Sequence, residues 1–450
     1  MHKYVRNTDM AEFDLKSLMQ NSSIVGAGGA GFPSFGKLAD GADTLVVNCA
    51  ECEPLMYTDY MLMREHMSKI VEGAQAVMAY TGIKHTYVAI KEHRAHMLGY
   101  SEGQILGQDV SVKLLPNVYP MGDEINQIYE ATGRVVKPGN LPITAGVIVY
   151  NGETLCNIRD AVKEGKPVTE KWVTIGGDLP ERYVVKVPVG MRVAELFDML
   201  GIRLKSEHVM FDGGPSMGKI LDPATAIITK TTKSLLIIPD SARCVKNKRV
   251  AMDDMLRRAS SACCGCSRCT EMCPRHLLGY PLEPHKMIRV ALNTVAEDHP
   301  DLIKTASLCC SCGVCAEVCC QEISPKDVIL NLKGILAKNK LRFSAGSEEY
   351  KVSSDREYRM IQSAKWEDIL GVHKYDVVPK LLPKKLKATR VEIKMSQHIG
   401  APSVPCVNVG DTVTEGQVIA NIGAGLSVPQ HASISGKVVS VDPTKIVIEA

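Results

Sequence analysis

Two copies of one cysteine run constrain this chain more than any other feature. Cys263, Cys266, Cys269 and Cys273 fall as C-x2-C-x2-C-x3-C with Pro274 following, and Cys309, Cys312, Cys315 and Cys319 repeat the spacing. Zinc ribbons and fingers draw four ligands from separated C-x2-C pairs, so three cysteines at consecutive spacing before Cys-Pro argue against zinc. The doubled run is the pattern of a module holding two [4Fe–4S] clusters, in which the fourth cysteine of each run crosses to the other cluster. That rule assigns Cys263, Cys266, Cys269 and Cys319 to one cluster and Cys309, Cys312, Cys315 and Cys273 to the other. Cys320 stands where the second run would carry proline. Cys264, Cys310 and Cys320 are therefore expected as spare thiols packed like small apolar groups, with Cys320 still open as a substitute for Cys319.

A chain of 450 residues is too long for one ordinary core and suggests about three domains. Its 53 basic and 50 acidic residues nearly cancel, which gives no electrostatic reason to expect nucleic acid. The opening MHKYVRNTDMAEFDLK has no apolar centre of the kind a signal peptide needs. No apolar run approaches the ~20 residues of a membrane span. The expected location is the cytoplasm, with association with a microcompartment or the periphery of a membrane left open. In a reducing compartment, clustered cysteines are metal ligands before they are disulfides.

Clusters accept electrons singly, so a source is needed. VGAGGAGFPSFGK, from Val25 to Lys37, sets glycines at 26, 28, 29 and 31. A loop without side chains lets backbone N–H groups approach a phosphate or a planar ring. It is not G-x-G-x-x-G after a strand, so the usual dinucleotide fingerprint does not apply. The run Thr44 to Val47 reads as a strand delivering Asn48, Glu51 and Glu53 to its carboxyl end, where α/β sheets bind ligands. A helix patterned on Met67, Ile70, Val71, Ala74, Val77 and Met78 follows, with Gly82 as its stop. Strands from Thr86 and Val110 then suggest a mostly parallel sheet.

GAGGAGFP, NCAECEP, YPMGDEINQIYEATGR, GVIVYNGETL and GGPSMG occur in this order. Together they resemble the family of RnfC subunits of Rnf electron-transport complexes and PduS-type cobalamin reductases. CPRHLLGYPLEPHKMIR, after the first cluster run, is most similar to the PduS type. The N-terminal half alone also resembles the flavin-binding subunit of respiratory complex I. The resemblance implies that Gly26, Gly28, Gly29, Gly31 and Lys37 hold FMN, with Lys37 at its phosphate. It sets Asn48, Glu51 and Glu53 beside the flavin ring and the nicotinamide, with Glu51 and Glu53 as the catalytic candidates. It sets Gly122, Asp123 and Glu124, and also Asn151 and Thr154, around the flavin. Complex I has aspartate where this chain has Ala50, which weakens the match at NADH more than at FMN.

The implied architecture is multidomain α/β. It comprises a complex I-like FMN/NADH domain (1–165), an SLBB β-grasp-like domain (166–242), a helical two-cluster ferredoxin-like domain (243–345), a linker (346–388) and an all-β barrel-sandwich hybrid (389–450). The last is the fold of biotinyl and lipoyl carriers, yet GAGLSVPQHAS, where a modified lysine would stand, has none; a scaffold is expected. In RnfC proteins a similar domain comes first, whereas here it follows the clusters. Cys49 and Cys52 form a further C-x2-C that could be a redox dithiol or incidental. The expected function is NADH oxidation on FMN, with electrons leaving through two [4Fe–4S] clusters to a partner redox subunit or a corrinoid-dependent enzyme, within a hetero-oligomeric complex. The alternative is a relay subunit that does not bind NADH.

Overall fold

A computed structural model describes residues 14–292, 299–383 and 385–450; the opening stretch read for a leader lies almost wholly outside them. The first unit runs α1 (Leu15–Asn21), β1 (Thr44–Asn48), α2 (Thr58–Thr81), β2 (His85–Lys91), α3 (Glu92–Leu98), β3 (Ile105–Gly107), β4 (Val110–Leu115), β5 (Val118–Tyr119), α4 (Glu124–Thr132), β6 (Val147–Asn151) and α5 (Gly152–Glu164). Its sheet has the order β3-β4-β2-β1-β6. All pairs are parallel except the β3–β4 hairpin. The apolar runs of β1 and β6 are buried along nearly their whole length, as strands covered on both faces must be. Helix α2 stops at Gly82, whose φ of 74° closes a left-handed cap.

The sheet order places the ligand crevice. From β1 the chain builds outward through β2 and β4, then returns to lay β6 on the other side of β1. The switch point of an open α/β sheet, at the carboxyl ends of the strands, is where such folds bind ligands. Here Asn48 ends β1 and Asn151 ends β6, and the two are register partners.

A second sheet takes β7 (Glu170–Gly177), β8 (Tyr183–Pro188), β9 (His208–Asp212), β10 (Lys219–Leu221) and β11 (Ser234–Pro239), with one helix, α6 (Val193–Met199). Its central pair, β11 and β7, is parallel and its flanks are antiparallel, a β-grasp-like layout. The cysteine runs lie among short helices between Met252 and Lys338. Both runs fold alike: Ser267 (φ 58°) and Gly313 (φ 86°) hold the same left-handed position, each just before a one-turn helix. Residues 390 to 449 form sheets of four and three strands. They share one hydrophobic core with the second sheet, Val173, Met191 and Ile237 packing with Val391, Ile419 and Ile446.

The stretch 346–388 corrects the reading of it as a linker. It holds β12 (Ile361–Gln362), which pairs with β5, and β13 (Lys380–Leu381), which extends the second sheet beside β8. Between them Trp366 is fully buried. Even the basic end lies on the protein: Leu382 and Leu386 pack against the shared core, and Lys385 is ion-paired with Glu170 at 2.7 Å and with Glu415 at 2.6 Å.

Candidate functional site

The glycine loop is held from beneath. Thr154, at the start of α5, accepts from the Ala27 N–H at 3.0 Å, and Lys171 on β7 donates to the Ala27 carbonyl at 3.1 Å. Lys171 is itself ion-paired with Glu153, both side chains 2% exposed. Above the loop lies a cavity of about 460 Å³, lined by the loop glycines, Lys37, Asn48, Glu124, Ile143, Val149, Asn151 and Thr154. A Cβ on Gly28 would press on the Asn151 side chain at 3.0 Å, while one on Gly29 would meet nothing within 4 Å. The loop thus offers bare backbone to a cavity with an apolar side wall, which fits a phosphate joined to a planar ring. Lys37 reaches into it with its ammonium on Glu124 at 2.7 Å and on the Val149 carbonyl at 2.9 Å.

A second cavity, about 740 Å³, continues from Gly28, Gly29, Asn48, Glu124 and Asn151 past Glu51, Glu53, Gly122 and Asp123 to Cys310 and Cys312. The acidic motif lines it, but its carboxylates are committed. Glu51 accepts from the first amides of α2, Asp59 N at 2.8 Å and Tyr60 N at 3.1 Å. Burial, with the nearby Asp59 charge, pushes its pKa up to about 7. Asp59 in turn pairs with Lys233 at 2.5 Å and accepts from Asn151 at 3.1 Å. Glu53 accepts from Ser216 N at 2.8 Å and lies 2.8 Å from the Tyr119 hydroxyl. Asn48 donates to the Gly122 carbonyl at 3.0 Å, and a Cβ on Gly122 would strike Cys52 at 2.9 Å. Asp123 caps α4 and binds Arg275, from just after the first cysteine run, at 2.6 Å. Cys49 lies against Gly152 and Cys52 against Gly122, and burial raises the pKa of both thiols. The two face different elements.

The cysteines sort into two groups with opposite exposure. Burial raises the pKa of the Cys269 thiol, and Cys319, Cys266 and Cys263 lie near enough to add to the rise. Cys273 lines one small cavity together with Cys309, Cys310, Cys312 and Cys315. Thiols gathered in this way suit [4Fe–4S] clusters, and Cys273 stands beside the second run. In the second group Cys273, Cys312 and Cys315 are buried, with Cys312 on the cleft wall; in the first, Cys263 and Cys266 are exposed. Cys264 and Cys320 do not pack as small apolar groups, as expected of spare thiols, but are exposed, their sulfurs within 4.8 Å of each other and of Cys266.

Sequence reasoning passed over the residues that join these parts. Tyr119 sits in the YPMGDE stretch and Ser216 in GGPSMG, both legible as motifs but without a role. Trp366 stacks on Tyr119 with ring centres 4.5 Å apart and an 11° interplanar angle, and donates to Ser216 Oγ at 3.0 Å. Nothing local in the sequence marks Trp366. Among the described residues, no helix is long and apolar enough to cross a membrane.

Known proteins agree with this arrangement. The model of the Nuo51 FMN-binding domain matches residues 19–160, that of the 4Fe-4S dicluster domain residues 262–324, and that of the RnfC barrel sandwich hybrid domain residues 378–450. The chain is 33% identical over 437 residues to cobalamin reductase PduS of Salmonella typhimurium, covering 97% of this chain and 96% of that protein. It is 32% identical over 270 residues to the RnfC-type component of the proton-translocating ferredoxin:NAD(+) oxidoreductase complex of Clostridium ljungdahlii, covering 59% of this chain and 56% of that one. Fold, cavities and cysteines together define an electron-transfer protein built for FMN and two [4Fe–4S] clusters. Within that class, the chain belongs to the family of PduS cobalamin reductases and RnfC proteins.

Proposed function

We propose that this protein takes hydride from NADH in the larger cavity and delivers single electrons, through its exposed cluster, to a corrinoid or to a partner that holds one. The observation that carries the reading is the continuous cleft from the glycine loop to Cys312, since it would set nicotinamide, flavin and the buried cluster in sequence. Bound FMN supplies the conversion of an electron pair into single electrons, which the clusters accept one at a time. The chain's own work is positional. Gly26, Gly28, Gly29 and Gly31 present bare backbone to the FMN phosphate and ring, with Lys37 as its cation. Thr154 and Lys171 keep that loop in place, and Asn48 and Asn151 hold the strand ends together. Glu51 and Glu53 shape the nicotinamide pocket through the amides they accept from, and no proton step is assigned to them. Cys309, Cys312, Cys315 and Cys273 hold the buried cluster; Cys263, Cys266, Cys269 and Cys319 hold the exposed one. The corrinoid acceptor is taken from the PduS relatives.

A second reading, a relay that does not bind NADH, has one observation in its favour. Ala50, where complex I has aspartate, is packed in a hydrophobic cluster with Val46 and Met121 and offers the nucleotide nothing. The anaerobically purified holoprotein separates the two readings through its visible spectrum. Bleaching of both flavin and cluster bands on adding NADH supports the first; bands that respond to dithionite but not to NADH would establish the relay.

A further inference from the structure

The stretch 346–388 reaches into the junction between cleft and buried cluster, and the contacts there form a closed ring. Tyr119 is 1% exposed. Its hydroxyl lies 2.6 Å from the backbone carbonyl of Cys312 and 2.8 Å from Glu53 Oε1. Its ring is stacked on the fully buried Trp366. The Trp366 indole N–H donates to Ser216 Oγ at 3.0 Å, and Ser216 N donates to Glu53 Oε2 at 2.8 Å. Lys326, from the helix after the second cysteine run, and Lys248 both donate to the Ser216 carbonyl, at 3.1 and 3.0 Å. Four parts of the chain therefore meet around one tyrosine hydroxyl and one serine.

We infer that Tyr119, clamped by Trp366, is a positioning residue that sets the reduction potential of the buried cluster through its hydrogen bond to the Cys312 carbonyl. Reduction adds negative charge to a cluster, and a fixed O–H dipole pointed at the cluster-binding loop favours the more negative state, so the donor raises the potential. Hydrogen bonding and solvent exposure around a cluster are the means by which a protein tunes it. Here the shorter of the two Tyr119 contacts goes to the loop. Trp366, stacked on the ring, fixes where the hydroxyl oxygen stands against the loop. The strap residue thereby acts on a cluster that it does not touch through any ligand.

The inference rests on the ligand assignment proposed above, and the experiment separates the two. EPR-monitored redox titration of the holoprotein should resolve two clusters, and Cys312→Ser should abolish one signal; if both signals persist, the ligand assignment fails. With that signal identified, Tyr119→Phe is expected to move its midpoint potential downward and leave the other cluster's unchanged. Trp366→Leu, which frees the ring but keeps the hydroxyl, should give a smaller shift in the same direction. An unmoved potential in Tyr119→Phe, or an equal movement of both clusters, overturns the inference. If Tyr119→Phe does not load with iron, Trp366→Leu decides: a selective downward shift supports the inference and no shift overturns it.

Discussion

Lys171 and Glu153 are almost wholly buried and depend on each other. Removing one partner of such a pair leaves an uncompensated charge and costs about 3–5 kcal/mol, whereas replacing both with apolar groups is often near neutral. Lys171→Met is therefore expected to lower the unfolding free energy by about 3–5 kcal/mol, and Lys171→Met/Glu153→Leu to recover most of it, as read by chemical denaturation. Both variants lose the donor to the Ala27 carbonyl, so both should retain less FMN after gel filtration. Full FMN retention in the double variant would show that the loop does not depend on this anchor. At this scale the sequence shows which residues line the site better than it shows what they do. Thr154 lines the cavity above the glycine loop, yet its hydroxyl is spent on the Ala27 amide. Glu51 and Glu53 read as acid groups for chemistry and are used as acceptors for backbone. A motif gives residue types in order; which partner takes each lone pair depends on elements far away in the chain.

At the scale of elements, the barrel-sandwich hairpin shows what a scaffold does here. Ile399 N donates to the Gly31 carbonyl at 3.1 Å and Gln20 donates to the Ser427 carbonyl at 3.1 Å, so the hairpin rests on the glycine loop's flank. Lys230 is buried in that junction, with Ser23 as its hydrogen-bond partner and His398 and His431 facing it. Burial pushes its pKa down to about 7 from 10.5. Between those values the unfolded chain holds a proton that the folded one lacks, so stability rises with pH from about 7 to about 10.5. Lys230→Met should flatten that rise and be more stable at pH 7 by an amount on the order of a few kcal/mol. Thermal melts across this range check it, and an unchanged slope would contradict it. Strands, the α2 helix with its glycine stop and the all-β tail were legible because their apolar periods are local. The structure of 346–388 was not, since two-residue strands and a single buried tryptophan gain their order from long-range packing.

For the whole molecule, burial orders the two clusters. The group at the cleft wall is enclosed, and the other presents Cys263 and Cys266 to solvent. A chelator with a mild oxidant should therefore remove the exposed cluster first. The EPR signal that depends on Cys312 should remain while total iron falls toward half. Simultaneous decay of both signals would mean that exposure does not distinguish them. On the proposed ligand assignment, the solvent-exposed cluster is the one an acceptor would meet first.

The docked hairpin also bears on gene architecture. Residues 389–450 are held by side contacts with residues 20–31 and with the second sheet. A unit fixed by its surface can be moved to the opposite end of the reading frame without moving in space.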